Sequence, residues 1–115
     1  MAMLDTAITA TADIGDKALV RSFSYIGGKW RAAASGETLA VHDPGTGDFL
    51  GDVAMLSAEE SAEAVDVAQT AFDSWSMALP QERSAILRRW FDLMIKHKED
   101  LARIMVLEQG KPLSE

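Results

Sequence analysis

Two hydrophobic rhythms follow one another along the chain, a short one in its first half and a longer one behind it. Phe23-Ser24-Tyr25-Ile26 is rich in strand formers, Gly27-Gly28 follows, and Lys29-Trp30 comes next. Two glycines between aromatic and branched residues predict a two-residue hairpin turn, in which both central residues need positive φ. Residues 32–37 read as a loop. Thr38-Leu39-Ala40-Val41-His42 then alternates, with Leu39 and Val41 on one face. Asp43-Pro44-Gly45-Thr46-Gly47-Asp48 is dense turn chemistry, and Phe49-Leu50-Gly51-Asp52-Val53 returns as the partner strand. So short a connection predicts antiparallel pairing.

The period then lengthens. Ser57-Ala58-Glu59-Glu60 is a capping box that opens a helix. Val65, Ala68, Phe72, Trp75 and Leu79 recur at steps of three and four, which predicts the buried face of an amphipathic helix. Glu59, Glu63, Asp66 and Asp73 lie off that stripe and are expected to be solvated. Leu79-Pro80-Gln81-Glu82 starts a second helix, with Pro in the first turn where its missing N–H costs nothing. Ile86, Leu87, Trp90, Phe91, Leu93 and Met94 cover a face too wide for one neighbour, so more protein is expected against it. Lys96-His97-Lys98-Glu99-Asp100 interrupts the apolar series and predicts a break or kink. Leu101, Ile104, Met105 and Leu107 resume it, and Gly110 stops the helix as a left-handed cap with Pro112 just beyond. The segment is therefore α+β: short antiparallel strands or hairpins, then two long amphipathic helices.

Residues 1–18 have little hydrophobic pattern and read as a loosely held arm with at most a short helical turn. The 115 residues allow one domain at most, and 48% hydrophobic with 25% charged residues is an ordinary globular mixture. The net charge of -7 argues against nucleic acid as a partner, because an acidic surface repels phosphate backbones. There is no cysteine, which excludes disulfides, thiolate metal sites and a cysteine nucleophile within these residues. No apolar run approaches the ~18 residues of a membrane span. The first 20 residues are rich in Ala and Thr and carry Asp5, Asp13 and Asp16, unlike a basic-then-apolar signal peptide. Cytoplasmic location and no membrane partner are the expectation.

Candidate chemistry is sparse. His42 sits beside a turn and His97 in a charged stretch. Neither has the convergent ligands a metal site needs, and both read as structural or surface residues. Glu59, Glu60, Glu63 and Asp66 could be imagined as a cation site, but a capping box and a solvated face explain them. Gly27-Gly28 and Gly110-Lys111 invite a phosphate-loop reading. That loop requires Gly and Ser or Thr where Met105 and Pro112 stand, so a turn and a helix cap remain. Trp30, Trp75 and Trp90 could form a stacking platform, yet helical spacing places Trp75 and Trp90 in a core. Nothing assembles a nucleophile, a base and an orienting group.

The order of these signals is more informative than any one of them. Tyr25-Ile26-Gly27-Gly28-Lys29-Trp30 resembles the hairpin near the start of aldehyde dehydrogenases, and Asp43-Pro44-Gly45-Thr46-Gly47-Asp48 resembles their next turn, with Gly45 where the family usually has Ala. Ala71-Phe72-Asp73-Ser74-Trp75 resembles the end of their first long helix. Pro80-Gln81-Glu82-Arg83 with Ile86-Leu87-Arg88-Arg89-Trp90 resembles the start of the second. Leu107-Glu108-Gln109-Gly110-Lys111-Pro112-Leu113, preceded by Leu101-Ala102-Arg103, is similar to the succinate-semialdehyde branch. The resemblance covers roughly residues 23–115, and residues 1–22 stand outside it as an N-terminal arm.

The resemblance implies an α/β family in which residues 23–115 form the incomplete N-terminal part of a cofactor-binding domain. It implies an NAD(P)-dependent oxidoreductase that converts an aldehyde, succinate semialdehyde first among candidates, to its acid. The family uses a cysteine thiolate as nucleophile, a nicotinamide cofactor as hydride acceptor and a Glu-activated water. In family order all of these lie after Glu115. No catalytic, cofactor-binding or metal-binding residue is assigned within the chain, including the backbone carbonyl of Glu108, which matches a partial Na or K ligand of some members. The expectation is a scaffold segment, inactive alone, whose partners are the remainder of the aldehyde dehydrogenase fold, a small aldehyde and further copies in a homo-oligomer. The alternative is a truncated, non-catalytic helical interaction module, dimerising through the Trp90 face.

Overall fold

The computed structural model describes residues 14–115. The Gly27-Gly28 pair sets the first hairpin: φ is 59° and 79° at the two glycines, which folds Ser24–Ile26 (β1) back on Lys29–Arg31 (β2). Tyr25 stands opposite Trp30, with their rings 5.0 Å apart. Thr38–His42 (β3) and Phe49–Ala54 (β4) form a second, separate antiparallel pair, in which Thr38 faces Ala54 and His42 faces Phe49. The connecting turn is organised by Asp43, whose carboxylate accepts the Gly45 and Thr46 amides at 2.7 and 3.2 Å.

Ala58–Met77 (α1) begins with the expected box: Ser57 Oγ accepts the Glu60 amide at 3.1 Å, and Glu60 Oε2 accepts the Ser57 amide at 2.9 Å. Pro80–Lys96 (α2) starts on Pro80, with Glu82 accepting the Leu79 amide at 3.0 Å. His97, at φ -104° and ψ 14°, both ends α2 and precedes Lys98–Gln109 (α3). The apolar series thus breaks where the charges interrupt it, and the second long helix is two helices. Gly110 caps α3 at φ 76°.

Two expectations need correction. The arm over residues 1–18 is not loose where it can be seen: residues 1–13 lie outside the described part, but Ile14 is 3% exposed and Val20 5%. They form the small core with Leu50, at 1%, against Val41, Ile104 and Leu107. The core therefore joins three pieces, the segment 14–20, the β3–β4 hairpin and α3. Lys17–Leu19 within that segment is a short 3-10 turn capped by the Asp16 carboxylate.

The second correction concerns α1. Its apolar stripe is not buried: Val65 is 68% exposed, Phe72 54% and Leu79 61%. The covered line runs instead through Glu60, Ala64 and Val67, which are half-buried. At 100° per residue that line lies about a quarter turn from the stripe. Polar bonds hold it to the first hairpin and the loop that follows, as described below. Helical periodicity locates the apolar side but does not say what rests on it, and no described element covers that side.

Candidate functional site

An open groove of about 1020 Å³ lies where α1 and α2 diverge. Phe72 and Trp75 line it from α1, Ile86 and Trp90 from α2, with small Ala71 and Ala78 between. The two helices follow each other through Ala78 and Leu79 only, so their apolar stripes splay rather than close. Trp90 is 63% exposed and Trp75 36%, so the tryptophans expected in a core are surface residues of this segment. The groove presents hydrocarbon with Glu82 and Arg89 at its edge. It can receive another apolar surface; its one hydroxyl, Ser74, bonds to the Ala71 carbonyl and the Glu82 carboxylate caps Leu79, so the two are not paired as nucleophile and base.

Polar residues do their work elsewhere, as fasteners. Arg31 donates to Glu63 through both terminal nitrogens, at 3.0 and 2.9 Å, a forked bond between β2 and α1. Glu60 does double service: one oxygen completes the Ser57 box and the other accepts the Ala34 amide at 2.8 Å. The Arg31 hydrogen bond holds the Glu63 carboxyl below its ordinary range, and Glu63 in turn raises Arg31. Backbone donors at Ser57 and then Ala34 lower Glu60. Glu63 was expected to be merely solvated. It is half exposed but paired, because the first hairpin swings Arg31 over it.

A second fastener sits at the start of α3. Asp100 accepts the backbone amides of Gly15 and Asp16, one on each oxygen, both at 2.9 Å. Those amides, Gly15 first, hold its carboxyl below the ordinary range. His97 stands beside it, Nδ1 3.9 Å from the Asp16 carboxylate. His42 is at the far end of β3, edge-on to Phe49 with ring centroids 5.7 Å apart. The structure does not bring the two histidines together. Among the described residues no group of three or more His, Cys, Asp and Glu side chains is placed to hold a metal ion, and no helix is long and apolar enough to cross a membrane.

A helix N-terminus with free amides and no nearby anion favours a phosphate. α1 opens with Glu59 and Glu60, its first-turn amide already taken by Ser57. α2 opens with Glu82, and α3 opens with Glu99 and Asp100. Gly27-Gly28 closes a hairpin and leads into no helix. Arg31, Glu63 and Asp100 carry the polar architecture; Arg31 and Asp100 were given no role from the sequence, and Glu63 was read only as a solvated acid. Their partners are 32 to 85 residues away, and nothing in local spacing announces them.

The sequence profile of the aldehyde dehydrogenase family matches residues 30–115. The chain belongs to that family. The aldehyde dehydrogenase segment is 45% identical over 102 residues to the NADP-dependent succinate-semialdehyde dehydrogenase GabD of Escherichia coli K12, covering 89% of this chain and 21% of that protein. It is 44% identical over 100 residues to a glutarate-semialdehyde dehydrogenase of Pseudomonas aeruginosa, covering 87% of this chain and 21% of the relative. Its fold superposes on a crystal structure of succinate-semialdehyde dehydrogenase from Burkholderia pseudomallei with a TM-score of 0.85 at 50% identity, over 90% of this chain and 21% of that one. The chain thus spans about a fifth of the length of these relatives. The coverage reaches ahead of the family profile, into the stretch that brings Ile14 and Val20 to the core.

Proposed function

We propose that this aldehyde dehydrogenase segment belongs to an enzyme that oxidises a small semialdehyde to its carboxylic acid with NAD or NADP, succinate semialdehyde being the first substrate to test. The observation that supports the reading is the 45% identity with a succinate-semialdehyde dehydrogenase over 102 residues, beside a fold that superposes on another such enzyme with a TM-score of 0.85. Glutarate semialdehyde, the substrate named for another relative, is the nearest competitor. Within that enzyme residues 23–115 are scaffold of the cofactor-binding domain and contribute no catalytic, cofactor-binding or metal-binding group. The chain has no cysteine, so a family thiolate must come from other residues. A homo-oligomer in the cytoplasm completes the proposal.

The test is spectrophotometric. The full-length protein is given succinate and glutarate semialdehydes and a panel of uncharged small aldehydes, each with NAD and with NADP. Reduction of the nicotinamide with a semialdehyde, at a kcat/KM above that for uncharged aldehydes, is expected. No reduction with any aldehyde would remove the proposal, and a preference for uncharged aldehydes would remove its substrate class.

A further inference from the structure

Asp100 stands at the third position of α3, where a first-turn carboxylate ordinarily turns back to cap its own helix. Here it turns outward and takes two consecutive amides from a segment 84 and 85 residues earlier in the chain. Gly15 allows the approach: a Cβ there would stand 3.3 Å from Asp100 Oδ2. Behind this clasp the segment closes on itself, with the Leu19 and Val20 amides bonding to the Asp16 and Lys17 carbonyls. It drops Ile14 and Val20 onto Leu50, and it is held at its far end by Ala54 donating to the Ser22 carbonyl at 2.8 Å. The other fasteners, Arg31–Glu63 and Glu60–Ala34, join different pieces of the molecule and do not involve it.

We infer that residues 14–20 are a strap that opens as a unit, with the Asp100 carboxylate as its clasp and the apolar seat formed by Leu50, Val41, Ile104 and Leu107 as what it covers. Opening exposes that seat and frees α3 from the strap, while the β1–β2 hairpin stays fastened to α1. Two charge-assisted bonds from one side chain fasten the strap at its α3 end. Asp100 is a positioning residue, and local opening of such a unit falls within the ordinary range of sub-global motions.

Hydrogen–deuterium exchange on the full-length protein tests this, comparing peptides over residues 14–20 with peptides over α1. In Asp100→Asn one oxygen is replaced by an amide donor that meets a backbone N–H. Exchange over residues 14–20 is expected to rise roughly tenfold or more, the loss appropriate to bonds with a charged acceptor, with α1 unchanged. Unchanged exchange in the strap overturns the inference, and so does an equal rise in α1, which makes Asp100 a general stabiliser. A second measurement uses the wild-type protein. The charged groups near the clasp are His97 and Arg103 from the α3 side and Asp16 on the strap, whose own carboxylate is turned to the Ala18 amide and His97. As pH falls through the lowered Asp100 value, strap protection relative to α1 should fall in the wild type and stay flat in Asp100→Asn. Identical pH profiles in the two proteins overturn the assignment of the clasp.

Discussion

Gly36 and Gly110 share one positive φ and differ in surroundings, which separates two costs that usually come together. Both have φ of 76°. A Cβ at Gly36 would meet nothing within 4 Å, whereas one at Gly110 would stand 3.0 Å from Pro44 Cγ. Alanine at Gly36 therefore bears the left-handed cost alone, about 1–2 kcal/mol. Alanine at Gly110 bears the same cost and an overpacking term, itself about 1–3 kcal/mol. Pro44 has little room to retreat, since its ring is rigid and the turn that carries it is tied by Asp43 to Gly45, Thr46 and Asp48. The expected totals are about 1–2 kcal/mol for Gly36→Ala and roughly 2–5 kcal/mol for Gly110→Ala.

Each position carries its own gauge. The Gly36 amide bonds to the Ala33 carbonyl and the Gly110 amide to the Val106 carbonyl, both at 2.9 Å. Exchange of the same amide before and after substitution, corrected for intrinsic rate, reports the change in local opening free energy. Adding Pro44→Ala to Gly110→Ala should return most of the overpacking part and none of the backbone part, a coupling measurable as a double-mutant cycle. Equal costs at the two glycines would refute the packing of the α3 cap on the Asp43 turn. A Gly36→Ala protein as protected as the wild type would refute the left-handed assignment itself.

Leu50, 1% exposed at the junction of strap, hairpin and α3, should lose roughly 2–5 kcal/mol on truncation to Ala and under about 1.5 kcal/mol on change to Met; thermal unfolding of the full-length variants checks the order, and equal losses would deny that the site is closely packed. Acid should release the first hairpin from α1. Glu63 and Glu60 have lowered folded values, so their contribution is complete above the unfolded carboxylate range and is lost as pH falls through those lowered values. Exchange over residues 29–35 followed against pH should show the loss, in wild type and not in Arg31→Ala/Glu60→Gln; a rise of protection on acidification would reverse the sign and sink the assignment.

What the sequence disclosed was whatever a few neighbouring residues decide by sterics. Two adjacent glycines dictate a primed turn, Ser57 and Glu60 dictate a helix start, and Gly110 before Pro112 dictates a stop. All three stand where expected, as does the break at His97. The face of α1 was misread for a reason of the same kind. Val65, Phe72 and Leu79 mark the apolar side, but the covered line is Glu60, Ala64 and Val67, with Val67 against the Gly27 turn and with the Arg31–Glu63 pair and the Ala34–Glu60 bond beside it. The periodicity is right about chemistry and silent about partners.

Glu60 and Asp100 show where local reading stops. Both sit at the third position of a helix, and the same rule assigns both to capping. Glu60 obeys it with one oxygen and spends the other on Ala34. Asp100 gives both oxygens to Gly15 and Asp16. The difference lies in what precedes each helix. Ser57 offers α1 a hydroxyl and an amide in box geometry, while α3 follows α2 through His97 alone, whose amide is already bonded to the Leu93 carbonyl at 3.1 Å. With the His97 amide taken, the Asp100 carboxylate recruits distant ones. A first-turn acid behind a helix that runs directly into the next is thus a candidate for long-range fastening, and in this molecule that fastening holds the strap over the core.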